Sequence, residues 1–251
     1  MAYSIKQLDG GILLFTIERE EKRNAINYEI MDGLQRLIKE AHGEGIKAVA
    51  ITGAGDRAFC SGGDLAEFHT LKTKGEALTM LSKMANILYS LLTLPKPTVA
   101  VLNGTAVGGG CELASACDFR IAKKGIKAGF IQGKQGITTG WGGGSILSEK
   151  MAGSHAMRLL MEAEPLPAEE LTAAGFIDEI FESDTEKAAI VFLSKMVRHE
   201  TGVLEGYKRV WAAKWKATKL KDRIESEVDF CSTLWESEAH HRHVAEFLKR
   251  S

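Results

Sequence analysis

The stretch that most constrains this chain runs from Val99 to Asp118 and reads VAVLNGTAVGGGCELASACD. Its first four residues are apolar and rich in valine, which predicts a buried strand. Three consecutive glycines, Gly108 to Gly110, then precede a segment of good helix-forming composition. The order predicts a strand that passes through a tight glycine loop into a helix.

A glycine loop before a helix favours anion binding. Glycine lets a ligand approach the bare backbone, and the first N–H groups of a helix lack intrahelical acceptors. Glu112 lies in the predicted first helical turn, where a carboxyl group next to an oxyanion site is suited to enolate chemistry. The alternative is a plain turn with a favourable first-turn charge.

A second junction of the same kind precedes it in the chain. The segment Ala58–Leu65, AFCSGGDL, contains Gly62 and Gly63, and Asp64 is placed to cap the helix that follows. A turn alone explains Gly62 and Gly63, but two such junctions in one domain favour a two-donor oxyanion hole.

Length and composition indicate a soluble globular protein. The 251 residues suffice for one large domain or a domain with an appendage, and the net charge of −1 does not indicate nucleic acid or an anionic membrane as partner. The four cysteines lack metal-ligand spacing and are predicted to be buried free thiols. Without an apolar leader or a long apolar run, we expect a cytoplasmic protein.

The first half of the chain alternates predicted strands and helices, which indicates an α/β fold. A hairpin is predicted over residues 3–18, and Pro95 and Pro97 end a helix before the Val99 strand. The segment Gly125–Gly144, with eight glycines, is predicted to be irregular. The other predictions are helices from Ala25 to about His42 and over 76–93, and strands at Lys47–Thr52 and Phe119–Ala122.

The second half is predicted to be mostly helical. Helix is expected over Ser145–Glu162 and again from Pro167 to Gly175, a strand over Phe176–Phe181, and a long helix capped by Asp184. From about Thr201 the chain is helical throughout.

Tyr207, Trp211 and Trp215 recur every fourth residue and therefore share a helix face. A packed aromatic seam with a solvated cationic rim is favoured over an RNA or membrane surface. His240, His241 and His243 are interpreted as a polar helix face rather than a metal site. The six cations of this segment are Lys208, Arg209, Lys214, Lys216, Lys219 and Lys221.

Five motifs in this order resemble the enoyl-CoA hydratase/isomerase (crotonase) superfamily over essentially the whole chain. The resemblance implies a spiral of ββα repeats over residues 1–195 and a C-terminal helical segment, 196–251, that mediates homotrimers, often paired into hexamers. The motifs are RNAIN (23–27), AFCSGGDL (58–65), GTAVGGGCELASACDFRIA (104–122), GITTGWGGG (136–144) and AAGFIDEI (173–180).

The resemblance also implies an acyl-CoA thioester substrate, with coenzyme A as part of the substrate and no separate cofactor or metal. It implies oxyanion N–H groups at Gly63 and Gly109 and contacts to CoA from Arg23 and Ala25. Glu112 falls on the first of the two catalytic glutamates of the hydratases.

The second glutamate is replaced by Gln132, which has no proton to titrate. Hydration is expected to need two carboxyl groups, and isomerisation commonly uses the second position, so the pattern resembles the ethylmalonyl-CoA or methylmalonyl-CoA decarboxylase-like branch. Decarboxylation needs a stabilised enolate and a dry pocket. Gln132 is expected to orient the substrate carboxylate, and Phe130 and Trp141 to line the pocket.

Two alternatives remain open. One is a 2-enoyl-CoA hydratase of fatty-acid β-oxidation, in which another group or a water held by Gln132 replaces the second carboxyl group. The other is a non-enzymatic CoA- or RNA-binding member of the fold, with the basic helix over 208–221 as its surface.

Overall fold

A computed structural model describes residues 1–249 of the chain, which form two sheets flanked by helices. The strands are β1 Tyr3–Leu8, β2 Ile12–Ile17, β3 Ala48–Gly53, β4 Ala58–Cys60, β5 Thr98–Leu102, β6 Thr105–Val107, β7 Phe119–Lys123, β8 Lys127–Gly129, β9 Leu166–Pro167 and β10 Glu179–Phe181. The helices are α1 Tyr28–Glu40, α2 Leu65–Phe68, α3 Lys74–Leu92, α4 Gly109–Ala116, α5 Gly143–Lys150, α6 Gly153–Glu162, α7 Ala168–Ala173, α8 Thr185–Val197, α9 Thr201–Ala217, α10 Leu220–Trp235 and α11 Glu238–Leu248.

The larger sheet has the strand order β1-β2-β3-β5-β7-β10. β1 and β2 form the predicted antiparallel hairpin, and the remaining pairs are parallel. Strand β2, ILLFTI, is apolar on both sides because both faces of the sheet are covered. Leu13 and Phe15 face the main core, whereas Ile12 and Leu14 face a second cluster that includes residues of α8.

The smaller sheet has the order β4-β6-β8-β9 and is generated by a repeat. Strands β3, β5 and β7 of the larger sheet are each followed directly by a short strand of the smaller one, β4, β6 and β8. A helix, α2 or α4, follows β4 and β6, and a 3₁₀ turn at Gln132–Gln135 follows β8. Each repeat thus consists of a strand of the larger sheet, a strand of the smaller sheet and a helical segment. Three successive repeats confirm the predicted α/β spiral of ββα repeats.

Buried polar side chains hold the crossing from the larger to the smaller sheet. The Asn103 amide donates to the carbonyl of Gly55 at 2.8 Å, and the Gly53 N–H donates to Asn103 Oδ1 at 3.1 Å. The Asn24 amide donates to the carbonyl of Ala58 at 2.7 Å. These bonds satisfy the backbone of the 53–58 loop and fix where β4 starts.

Several predicted boundaries shift in the structure. Helix α1 begins at Tyr28 rather than Ala25, because the Asn27 side chain caps it by accepting from the Ile30 N–H. The helix predicted over 145–162 is two helices, since the chain is extended at Met151. The strand predicted over 176–181 is confined to Glu179–Phe181.

The glycine-rich segment 125–144 is more ordered than predicted. It contains β8, the 3₁₀ turn and the start of α5, and its longest irregular stretch lies between the turn and α5. The predicted cap of α8 is confirmed, because the Asp184 carboxylate accepts from the N–H groups of Glu186 and Lys187.

The aromatic stripe of α9 is only partly packed, contrary to the packed seam that the sequence favours. Trp215 is buried, but Tyr207 is 70% exposed and Trp211 is 51% exposed in the single chain. Lys208 does not belong to a solvated rim. It is buried and bonds to both oxygens of Asp118, at 2.6 and 2.7 Å, which ties α9 to the start of β7.

The C-terminal helices α10 and α11 pack against elements that precede them in the chain. Helix α10 packs against α3 and α5, and it covers the part of the glycine-rich segment 125–144 that leads into α5. Helix α11 packs against the 3₁₀ turn. The division of the chain at residue 195 stays a prediction. Through residue 249, the helices are all too short or too polar to cross a lipid bilayer.

All four cysteines are buried free thiols, as the sequence predicts. Cys60 ends β4, Cys111 lies in α4, Cys117 follows α4 and Cys231 lies in α10. Burial raises the pKa of Cys60, Cys117 and Cys231 to about 12, so these thiols stay protonated at neutral pH.

Candidate active site

The first glycine loop is bonded along one side to the segment that precedes α1. The N–H of Ile26 donates to the carbonyl of Gly62 at 2.8 Å, and the N–H of Asp64 donates to the carbonyl of Ile26 at 2.8 Å. Because neighbouring backbone groups on an extended chain alternate in direction, the N–H of Gly63 points the other way. It has no acceptor among residues 1–249.

Asp64 caps α2 as predicted, and its carboxylate has a second partner. Its Oδ1 accepts from the Ala66 N–H at 3.0 Å, and its Oδ2 pairs with Arg19 at 2.7 Å, where both side chains are largely buried. Arg19 also donates to the carbonyl of Ala25 at 2.6 Å. The arginine therefore ties the first glycine loop to the segment that precedes α1, a role that no local sequence pattern indicates.

The second glycine loop forms the start of α4 itself. Gly108 is the N-cap residue, with φ of 56°, and Gly109 and Gly110 are already helical, so the helix begins earlier than predicted. Glu112 lies in the first turn, as expected. The N–H of Gly109 has no acceptor within the described part of the chain, as expected for the first turn of a helix.

The two loops lie against each other. A Cβ atom on Gly62, whose φ is +96°, would come within 3.1 Å of the amide nitrogen of Gly109. A Cβ on Gly109 would overlap the Trp141 ring, and one on Gly63 would lie 3.5 Å from the same ring. The loops and the indole thus meet at one place, and close approach requires glycine there.

Glu112 is buried and its carboxylate accepts four hydrogen bonds. Oε1 accepts from the Gln132 side-chain amide at 2.9 Å and from the Gly140 N–H at 3.3 Å. Oε2 accepts from the N–H groups of Trp141 at 2.8 Å and Gly143 at 2.9 Å. These four donors occupy the lone-pair positions of an ionised carboxylate.

Burial raises the pKa of Glu112 from 4.5 to about 7, and the nearby charge of Glu227 adds to the rise. The hydrogen bonds from Gly143, Trp141 and Gln132 act in the opposite direction and do not cancel it. A carboxyl group with this pKa exchanges its proton near neutral pH, which suits acid–base chemistry.

Gln132 lies at the start of the 3₁₀ turn, and its side chain contacts Glu112. Its amide NH₂ donates to Glu112, which leaves its carbonyl oxygen Oε1 buried with no hydrogen-bond partner among residues 1–249. The sequence predicts that this side chain orients a substrate carboxylate. In the structure its donor is instead engaged by Glu112, because an ionised carboxylate requires donors.

A cavity of about 120 Å³ is bounded by both glycine loops, Glu112, Gln132 and Trp141. Its remaining wall is mostly apolar and comes from three helices and the loop before α5. Among the apolar residues are Leu65, Phe68, Met80, Leu81, Ile137 and Trp235. The sequence motifs do not indicate the residues of α3 and α10, because those helices reach the cavity only through tertiary packing.

The structure places Phe130 elsewhere than predicted. Its ring is buried against Phe176, with ring centroids 5.8 Å apart and an edge-to-face geometry. Of the neighbouring described residues, Ile131 and Gln132 line the cavity and Phe130 does not. Side chains alternate direction past the end of β8, so Phe130 turns into the core while Ile131 faces the site.

Arg23 and Ala25 border the first loop without reaching the cavity wall. The carbonyl of Arg23 accepts from the Ser61 N–H at 3.1 Å, and Ser61 does line the cavity. The Arg23 side chain is exposed and the Ala25 side chain is buried. Arg23 thus lies next to a residue of the cavity wall, and the contact of both residues with CoA stays a prediction.

Glu227 of α10 is a further polar residue that sequence reasoning missed. Its carboxylate accepts from the N–H groups of Gly144 at 3.0 Å and Ser145 at 2.7 Å, and from the Thr139 hydroxyl at 2.5 Å. It therefore caps the start of α5, which glycines alone leave uncapped. The nearly 90 residues that separate it from Thr139 explain why no local motif reveals it.

The histidines of α11 do not gather around a metal position. His240 is buried, and its Nδ1 lies 2.7 Å from the carbonyl of Gln135. Burial lowers the pKa of His240, so the ring is neutral at neutral pH. Within residues 1–249, no three His, Cys, Asp or Glu side chains are grouped closely enough to hold a metal ion.

Comparisons with known proteins point to one family. The family model described as enoyl-CoA hydratase/isomerase matches residues 7–251. The ethylmalonyl-CoA decarboxylase of Xenopus tropicalis is 29% identical over 235 residues, which cover 92% of this chain and 78% of that protein. The short-chain-enoyl-CoA hydratase of Clostridium acetobutylicum is 32% identical over 180 residues, which cover 71% and 68% of the two chains.

Solved structures support the same architecture. An enoyl-CoA hydratase/isomerase from Xanthobacter autotrophicus Py2 superposes with a TM-score of 0.90 at 23% identity, covering 100% of this chain and 94% of that one. An enoyl-CoA hydratase from Bacillus halodurans superposes with a TM-score of 0.88, also at 23% identity, covering 98% and 100%. At these identities the likeness concerns the fold.

Proposed function

Since the chain belongs to the enoyl-CoA hydratase/isomerase family, we propose that it is a lyase that removes carbon dioxide from a short malonyl-type CoA thioester, such as ethylmalonyl-CoA or methylmalonyl-CoA. The observation that carries the proposal is that Glu112 is the one carboxyl group among the described residues lining the cavity. The position opposite it holds the amide of Gln132, 2.9 Å away.

The two unpaired amides support an enolate intermediate. The thioester oxygen sits between the N–H groups of Gly63 and Gly109, and each such donor contributes roughly 3 kcal/mol to the transition state. The bond between the α-carbon and the carboxylate breaks, and its electron pair enters the enolate. Glu112 then delivers a proton to the α-carbon.

The apolar wall supports the loss of carbon dioxide. A carboxylate held among Leu65, Phe68 and Leu81 is poorly solvated, whereas the product carbon dioxide is neutral and favours such surroundings. A cavity of about 120 Å³ supports a short acyl group. The ethylmalonyl-CoA decarboxylase name of several relatives at 28–30% identity agrees with this assignment.

A second candidate is a 2-enoyl-CoA hydratase. The orphaned Oε1 of Gln132 offers an acceptor for a water molecule, and a Clostridium relative is named short-chain-enoyl-CoA hydratase. This reaction requires an ionised Glu112 as base. One of the four donors would therefore have to leave the carboxylate and free a lone pair for the proton of the water. The decarboxylase is preferred because Glu112 is the one carboxyl group among the described residues lining the cavity.

A mass-spectrometric panel tests the proposal. The protein is incubated separately with methylmalonyl-CoA, ethylmalonyl-CoA and crotonyl-CoA, and each thioester is weighed. Loss of one carbon dioxide from either of the first two, well above any gain of water by crotonyl-CoA, is expected. Hydrated crotonyl-CoA alongside two unchanged dicarboxylic thioesters contradicts the decarboxylase and establishes the hydratase.

A non-enzymatic CoA- or RNA-binding role is the third reading. The six cations over 208–221 are divided between α9 and the start of α10. Lys208 is buried and Lys214 pairs with Glu149 at 3.1 Å, which weakens the basic surface. Retention on RNA that falls with salt, and is lost when Lys216, Lys219 and Lys221 are changed to alanine, would favour this role.

The proposed protein works in the cytoplasm as a homotrimer or hexamer, without nucleic acid or membrane partners, and without a metal or any cofactor beyond the CoA of its substrate. Light scattering on the purified protein tests the assembly. Three or six times the chain mass of 27.3 kDa is expected, and a stable monomer contradicts it.

A further inference from the structure

The carboxylate of Glu112 is surrounded by donors of two different kinds. Three are backbone N–H groups, of Gly140, Trp141 and Gly143, which can only donate. The fourth is the side-chain amide of Gln132, which carries a donor and an acceptor at its two ends. Only this amide can change what it offers, by turning about its last torsion angle.

The O–H of a protonated Glu112 therefore has one possible acceptor among these four groups. The O–H of a protonated carboxyl group needs an acceptor in this buried position, and an unmet donor there is costly. The three backbone amides offer none, but a turned Gln132 presents its Oε1 to Glu112. Among residues 1–249 that oxygen has no partner while Glu112 is ionised, so rotation of the amide also gives a hydrogen bond to an atom that otherwise lacks one.

Rotation of the Gln132 amide changes the chemistry of the cavity wall. With Glu112 ionised, the end of Gln132 that does not face Glu112 is its buried carbonyl oxygen, which repels a carboxylate. With Glu112 protonated, Gln132 presents its NH₂, which donates to a carboxylate. Gln132 is buried and lines the cavity beside both oxyanion loops, so a substrate carboxylate meets this group.

We propose that Gln132 is a two-position amide whose orientation is locked to the proton on Glu112, and that a substrate carboxylate selects the orientation in which Glu112 is protonated. The inference rests on the proposed function, because it supplies that reaction with its proton. Substrate binding loads the acid before the carbon–carbon bond breaks.

The sequence of events balances. The bond between the α-carbon and the carboxylate breaks, its electrons form the enolate, and carbon dioxide leaves. The Gln132 NH₂ loses its acceptor and returns to Glu112, which is compatible only with an ionised carboxyl group. The Glu112 proton passes to the α-carbon, the thioester carbonyl reforms, and solvent supplies one proton per turnover.

The other titratable groups near Glu112 do not compete for the proton. Cys111 lies beside it in α4, and α10 contributes Cys231 and Glu227. Burial raises the pKa of both thiols, that of Cys231 to about 12, so they stay neutral. The charge of Glu227 favours a proton on Glu112, and its own carboxylate is engaged by the start of α5.

Nuclear magnetic resonance of the Gln132 side-chain amide tests the lock. The signal is assigned by its absence in Gln132→Leu and followed in the free enzyme from pH 5.5 to pH 8.5. We expect it to titrate near pH 7 in the wild type and to stay fixed in Glu112→Gln. A wild-type signal that does not move with pH overturns the inference.

A pair of unreactive ligands tests selection by the carboxylate. The 2-carboxypropyl thioether of CoA has a methylene in place of the thioester carbonyl and cannot form an enolate, and the isobutyl thioether lacks only its carboxylate. At pH 8 the first ligand is expected to return the Gln132 signal to its low-pH position, with uptake of close to one proton by calorimetry. The second is expected to do neither.

The variant Gln132→Leu completes the test. We expect its affinity for the carboxylate ligand to fall at least tenfold while its affinity for the isobutyl ligand, which also reports correct folding, is unchanged. Equal affinity of wild type and variant for the carboxylate ligand contradicts the inference. Rapid decarboxylation without signal change or proton uptake refutes the switch alone, whereas both effects without any carbon dioxide release refute the proposed function alone.

Discussion

Glu112 accepts four hydrogen bonds, and its protonation state determines which reaction it can assist. As a proton donor to an enolate it must be protonated in the substrate complex, and kcat/KM follows its pKa in the free enzyme, which is about 7. We expect kcat/KM for a malonyl-type thioester to be level below pH 7 and to fall about tenfold per pH unit above it. A pH profile of carbon dioxide release measures this.

The reversed profile would identify the other chemistry. A hydratase that uses Glu112 as base loses activity on the acidic side of pH 7 and is level above it. Because the two reactions need opposite protonation states of the same group, one profile with each substrate separates them.

The same carboxyl group makes stability depend on pH. Its pKa is higher in the folded chain, about 7, than its ordinary value of 4.5, so the folded state holds the proton longer. Its stabilising effect is complete below pH 4.5 and is lost as pH rises through 7, by about 3 kcal/mol in the free energy of unfolding.

Urea unfolding of wild type and Glu112→Gln, at about pH 5 and about pH 8, measures this effect. The variant lacks the titrating group. The wild-type free energy of unfolding is expected to fall relative to that of the variant between the two pH values. A constant difference would show that Glu112 titrates as an ordinary glutamate.

Gly109 lies where a side chain would collide with Trp141. We expect Gly109→Ala to lower kcat for decarboxylation roughly 100-fold or more, because the indole and the oxyanion N–H cannot both keep their places. Gly206→Ala in α9 is the matched control, since no atom lies within 4 Å of its added Cβ. The control should keep full activity, and an equally active Gly109→Ala would remove this position from the oxyanion hole.

Helix α10 reaches into the site through Glu227, whose charge raises the pKa of Glu112. Glu227→Gln keeps an acceptor for the start of α5 but removes the charge. The basic fall of the kcat/KM profile is therefore expected to move to lower pH. Glu225→Gln, an exposed change on the same helix, should leave the profile in place. An unmoved profile in Glu227→Gln would mean that the two carboxyl groups do not interact.

The sequence predicts elements well where their signals are local. The hairpin, the Asp64 and Asp184 caps and the two glycine junctions depend on residues within a few positions of each other. Glu227, Arg19 and the α3 and α10 walls could not be predicted in this way, because their partners are distant in the chain. Phe130 was misplaced because apolar character alone does not tell which side of a chain faces a cavity.

For the whole molecule, the resemblance to a known family gives the spiral and the site together, since the repeat brings the ends of β4 and β6 side by side. Periodicity alone predicts that Tyr207 and Trp211 share a face but not that this face is exposed in the single chain. Exposure depends on the neighbours that α9 finds, and a helix pattern contains no information about them.

The order in which the four buried thiols become accessible to a reagent reports which part of the molecule opens first. Cys231 lies in the helix over the cavity, whereas Cys60, Cys111 and Cys117 lie in the body beneath it. A thiol reagent can modify each one only after its surroundings open. Labelling followed by peptide mass spectrometry is expected to mark Cys231 before the other three if α10 detaches as a separate unit. Simultaneous labelling of all four would show a single cooperative opening.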